Sequence, residues 1–113
     1  MLPQYQTVTP VKIAQGEINT SISTLYTVPE GTVTLMKTID VTNSTANPIS
    51  FSLWMVPGGD TPALANALYA SQPVEGFSNF QWSAVQVLNT TETIQVQATD
   101  VGLAINISGG EAT

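Results

Sequence analysis

The stretch Val33-Thr34-Leu35-Met36-Lys37-Thr38-Ile39-Asp40-Val41-Thr42 decides the fold. β-branched residues crowd it, and its apolar side chains fall at alternate positions. That two-residue period belongs to a strand with one face on a core. Val33, Leu35, Ile39 and Val41 are expected on one face, interrupted by Lys37, with Thr34, Met36, Thr38, Asp40 and Thr42 on the other.

The same pattern extends outward in both directions. Upstream, Pro29-Glu30-Gly31-Thr32 reads as a tight turn, with Pro setting φ and Gly accepting φ > 0. Before it lie a strand from Ile22 to Val28 and a weaker one from Val11 to Ile18. Downstream, a turn over Asn43 to Pro48 leads to Ile49 to Val56, where Ile49, Phe51, Leu53 and Met55 alternate with Ser50, Ser52 and Trp54. Pro57-Gly58-Gly59-Asp60 is a sharp loop. The Ala- and Leu-rich run Thr61 to Ser71 suits a short helix or an irregular loop. Phe77 to Trp82 and Val85 to Leu88 read as short strands, followed by a turn at Asn89 to Glu92. In Thr93 to Thr99, Ile94, Val96 and Ala98 point inward. Leu103, Ile105 and Ile107 form a last inward row that Gly109-Gly110 should end. About eight short strands with turns every 8–12 residues predict an all-β fold, an antiparallel β-sandwich or jelly roll. The expected organisation is an N-terminal arm over residues 1–10 and one domain over 11–113.

Composition narrows the chemistry. The chain has no histidine, cysteine or arginine, and its only cations are Lys12 and Lys37. It therefore lacks the usual neutral-pH general base, the thiol nucleophile and the soft metal ligands. Serines are plentiful but have no partner base, since neither lysine sits in a Ser-x-x-Lys context. The acids are Glu17, Glu30, Asp40, Asp60, Glu75, Glu92, Asp100 and Glu111. Most fall in turns or at strand ends, where a solvated carboxylate is ordinary, so a glycosidase-type pair is not expected. Asp60 and Asp100 lie in Gly-containing loops that offer oxygen ligands, but without the dense acidic spacing of a calcium loop. The expectation is a non-enzymatic protein without metal or cofactor.

Net charge is −6 with no basic run, which argues against contact with nucleic acid or an anionic membrane. Met1 to Gln15 shows neither the basic nor the apolar region of a secretory signal, so synthesis in the cytoplasm is expected. Sequons at Asn19, Asn43, Asn89 and Asn106 then carry no glycan. Charged residues make up 9% of the chain, against about 25% in an average protein. Such a surface has little charge to oppose association. Sheet edges raise the same question, because two lysines block few of them; prolines, loops or neighbouring subunits must cover the rest. Partner contact is expected from Leu2 and Tyr5 of the arm, for which the alternative is a frayed tail, and from the aromatics Tyr69, Phe77 and Phe80. For the aromatics, including Trp54 and Trp82, the alternative is burial in the core.

Several segments, in order, carry a resemblance. Leu25-Tyr26-Thr27-Val28-Pro29-Glu30-Gly31-Thr32 is followed by the strand ending Val41-Thr42-Asn43. Then come Ser52-Leu53-Trp54-Met55-Val56-Pro57-Gly58-Gly59 and Ala65-Asn66-Ala67-Leu68-Tyr69. Trp82, Val87-Leu88 and Thr93-Ile94-Gln95-Val96-Gln97-Ala98 complete the series. Together they resemble small all-β virion proteins of tailed bacteriophages, variously capsid decoration, head-fibre or tail-associated proteins. The likeness spans roughly Thr24 to Gly110. It departs from the family's pattern at Thr91-Glu92, where Gly-Asp often precedes Thr-Ile. The resemblance implies a capsid decoration protein made in the bacterial host and docked on the major capsid protein or another virion protein, as a homo-oligomer with trimer favoured. It implies no catalytic residues. Its rival is a head-fibre or tail-associated module that binds a host glycan or protein.

Overall fold

The computed structural model describes residues Val8 to Thr113. Eight strands build two antiparallel sheets of four. They are β1 (Val8–Glu17), β2 (Ser23–Thr27), β3 (Val33–Asn43), β4 (Ile49–Val56), β5 (Ala67–Val74), β6 (Asn79–Leu88), β7 (Thr93–Ala98) and β8 (Leu103–Ala112). The first sheet runs β1-β8-β3-β6 and the second β2-β7-β4-β5. This order is the jelly roll, which resolves the choice that alternation alone leaves open.

The core lies between the sheets and takes its residues from both. Ile39, Val41, Leu88, Leu103, Ile105 and Ile107 face inward from the first sheet; Phe51, Leu53, Ile94 and Val96 meet them from the second. The inward rows expected on β4, β7 and β8 are the ones observed. Alternating β-branched and aliphatic residues fold this way because each strand can then bury one face and leave a polar face in water. Among the described residues, no helix is long and apolar enough to cross a membrane.

The structure corrects the sequence reading in four places. First, β1 starts at Val8, inside the stretch assigned to the arm; residues 1–7, with Leu2 and Tyr5, lie outside the described residues. Second, the run 61–71 is not one helix. It holds a single 3-10 turn, Leu64–Asn66, after which Ala67 begins β5. The Ala-rich run pairs with β4 because the second sheet offers a ladder partner, a tertiary gain that outweighs weak helix propensity. Third, the strands expected at Phe77–Trp82 and Val85–Leu88 are one strand, β6, which begins only at Asn79 and leaves Phe77 and Ser78 in the preceding loop, so the eight strands are not the eight expected. Fourth, Gly109-Gly110 does not end β8, which continues to Ala112. A β-carbon on Gly109 would lie 1.8 Å from the Leu35 carbonyl oxygen, so glycine here permits close approach of two strands.

The faces of β3 also differ from a simple alternation. Thr34 and Met36 are buried, and after Lys37 the buried positions become Ile39, Val41 and Asn43. Against β8, Met36 pairs with Gly109 and Thr38 with Ser108, so Lys37 is an extra residue, a β-bulge. Val33 and Leu35 therefore face outward. The bulge is one of a row. Ile13 is the extra residue of β1 against β8, and Ala84 and Val85 of β6 together oppose Lys37.

Candidate functional site

The row of bulges divides the outer face of the first sheet into two halves of different chemistry. Towards the β2–β3 turn, the outward residues are Val8 and Pro10 of β1, Val33 and Leu35 of β3, and Val85 and Val87 of β6. Val8 and Val85 are each 57% exposed and Val87 51%, a concentration of apolar surface on a sheet that could have been polar there. Both lysines border this half. Lys37 shares a shallow hollow with Val8, Pro10 and Gly110, and Lys12 lies on β1 beside it with its ammonium donating to Gln15 Oε1 at 2.9 Å.

On the other side of the bulges the outward residues are Thr38, Asp40 and Thr42 of β3, Gln81 and Ser83 of β6, and Asn106 and Ser108 of β8. Asn79 ties this polar half together. Its amide donates to the Asp40 carboxylate and, at 3.0 Å, to Thr42 Oγ1.

The loops beside the β3–β4 turn form a second surface. Phe77 is 75% exposed and has φ = 52°, a left-handed conformation unusual for a bulky residue. Its N–H donates to the Thr45 carbonyl at 2.8 Å, and Gly76 leaves no room for a β-carbon, which would lie 2.2 Å from the Ala46 carbonyl oxygen. On the other flank, Ser44 N–H donates to the Gly102 carbonyl at 3.1 Å, beside Val101, which is 60% exposed. Asn43 anchors the arrangement from within. It is 1% exposed and makes four hydrogen bonds: its amide donates to the Asn47 and Val74 carbonyls, and its carbonyl accepts from the N–H and hydroxyl of Thr45. A buried side-chain amide fully satisfied in this way holds a loop rigidly. It also puts the Asn43 sequon out of reach of modification.

The expected contact residues thus separate. Phe77 stands free in solvent. Tyr69 and Phe80 are half-buried and pack at steep angles against buried Phe51 and each other, with ring centroids 5.1 Å apart from each other and 6.0 and 5.7 Å from Phe51. Trp82 also packs against the core, and Trp54 is half-buried on the second sheet. The exposed valines of β6 and β1 were not singled out from sequence. Their signal is the bulge, which turns Val33 and Leu35 outward beside them.

One polar contact joins the two sheets near the apolar half. The Tyr26 hydroxyl of β2 donates to the Glu111 carboxylate of β8 and lies 2.8 Å from the Thr34 hydroxyl of β3. Desolvation first, and the Glu111 hydrogen bond second, push the phenol up to about 12. The contact pins β2 of the second sheet to β3 and β8 of the first. Among the described residues, no group of three or more acids converges as a metal site would require.

Comparison with known proteins adds a likeness of fold. No protein-family model matches the chain, and no curated protein matches it. Over 94% of its length it is similar to a chain in the structure of infectious bursal disease virus, Gx strain, at 11% identity and a TM-score of 0.50. A chain of the Gt-strain structure is similar over the same share at 10% identity and a TM-score of 0.44. The present chain spans about a third of each, 32% and 30%. At such identity the likeness concerns the fold alone.

Proposed function

We propose that this chain is a non-enzymatic structural protein of a virus particle, a capsid decoration protein of a tailed phage that docks on the outer shell and stabilises it. The observation that carries this reading is the outer face of the first sheet, where an apolar, lysine-bordered half lies beside a polar one that carries Asp40. A docking protein needs such a surface and needs no reactive side chain. The jelly-roll architecture is one that builds viral capsid domains, and the virus chain of similar fold agrees with that use. Fold alone does not fix function, so the surface and the resemblance carry the weight. Many copies, each contributing a modest contact, would stabilise a shell by mass action.

The test is heat release of packaged DNA from phage particles that lack this chain. The expected result is release at a lower temperature than from complete particles, restored by adding the purified protein. Identical release from both particles would refute the cement role.

A second reading rests on Phe77. An exposed aromatic held in a strained conformation by a rigid loop is a feature of binding sites, and jelly rolls also serve as lectin domains. Under that reading the chain is a head-fibre or tail-associated module that binds a host glycan or protein. Host-cell binding would be abolished by Phe77→Ala, whereas shell stabilisation would be untouched.

A further inference from the structure

Among the described residues, four strands form the edges of the two sheets: β1 and β6 in the first, β2 and β5 in the second. An open edge is a template for another strand, and soluble β proteins blunt theirs with proline, lysine, bulges or brevity. β1 carries Pro10, Lys12 and the extra residue at Ile13. β2 has five residues and a register break at Leu25. β5 carries Pro73, two register breaks, and Ser71 at φ = 54°. β6 is treated differently. Its ten residues include no proline, no glycine and no charge. Its one irregularity, opposite Lys37, leaves Asn79–Ser83 and Gln86–Leu88 in regular pairing with β3.

We propose that β6 is a strand-pairing edge and that its partner is β6 of a second copy, run antiparallel about a twofold axis to join two four-stranded sheets into one. Charge selects a second copy as the occupant. A net charge of −6 sets copies of this chain against one another at long range. Here the edge itself is uncharged, and beside its Gln86–Leu88 run β3 presents Val33, Leu35 and Lys37 with no acid. Side chains agree. An axis through Gln86 sets Val85 of each copy against Val87 of the other, two equivalent β-branched pairs that cover the exposed valines of the strand. It also makes the two apolar half-faces continuous. This contact is twofold, whereas the resemblance implies a trimer, and it does not depend on the virion reading.

Sedimentation equilibrium of the purified chain tests it. The expected mass is about twice 11.9 kDa, falling to the monomer mass in Val87→Lys, with an unchanged circular dichroism spectrum. Gln15→Lys on the blunted β1 edge should leave the pair intact. As the chain has no cysteine, Val85→Cys/Val87→Cys supplies a second readout, oxidising to a covalent pair. A monomer at every concentration, a threefold mass, or a pair that survives Val87→Lys and fails to cross-link would overturn the proposal. None of these results bears on copy number in a particle.

Discussion

The two halves of β3 have similar compositions and opposite exposures. Before Lys37, Thr34 and Met36 face the core while Val33 and Leu35 face out; after it, Ile39 and Val41 face the core while Thr38, Asp40 and Thr42 face out. One inserted residue makes the difference, because a shift of one position moves a whole strand face to the other side of the sheet. Without the bulge, Val33 and Leu35 would join Ile39 and Val41 inside with Lys37 among them, and Thr34 and Met36 would face out. The bulges thus move aliphatic area from core to surface at one end of the molecule. A threonine hydroxyl at that end goes inside, where it meets the Tyr26 hydroxyl, which in turn donates to Glu111.

The largest test of this contrast is deletion of Lys37. Removing the extra residue forces Val33–Met36 to slip against β8 or to turn over, and either change breaks the Thr34 contact and buries the wrong face. A loss of about 3 kcal/mol or more is expected in urea unfolding, while Lys37→Gln, which keeps the bulge, should stay within about 0.5 kcal/mol. Equal effects from the two changes would mean that the lysine itself, not the inserted residue, matters. Next comes Gly109→Ala. Its β-carbon meets backbone of β3 that cannot swing aside, so about 3 kcal/mol should be lost. Gly16→Ala, on the same sheet with nothing within 4 Å, should be nearly neutral in the same assay.

A smaller effect is expected at Tyr26. Its folded-state pKa is raised to about 12 from 10.0, so the fold favours the protonated phenol. The corresponding stability is fully present below pH 10 and is lost as pH rises from there to about 12. Tyr26→Phe should cost about 1 kcal/mol at neutral pH and flatten that part of the alkaline decline. Thermal melts of both proteins between pH 8 and 12 would check it, and parallel declines would show that the pin contributes nothing pH-dependent.

Much of this architecture was legible in the sequence. The all-β class, the inward rows of β4, β7 and β8, and the turns at Pro29–Thr32 and Asn89–Glu92 follow from period-two alternation and turn residues. The bulges were not legible, because a bulge appears only when a strand is laid against its partner; Lys37 marked a break in the pattern without saying that the faces exchange. β5 was hidden by alanines whose local preference is helical. Gly109-Gly110 looked like a terminator, because sequence cannot separate a turn glycine from one that admits a neighbouring backbone. The contact surface stayed largely out of reach for the same reasons. Phe77 was named from sequence and stands exposed, but Tyr69 and Phe80 join Phe51 in the core rim, a distinction that depends on which face each strand presents.

The measurement that tests the central claim most directly is the number of copies of this chain per purified virion, by quantitative mass spectrometry against the major capsid protein. A decoration protein predicts hundreds of copies. A few to a few tens would place it on a fibre, vertex or tail and favour the recognition reading carried by Phe77, and absence from the particle would contradict a virion role altogether.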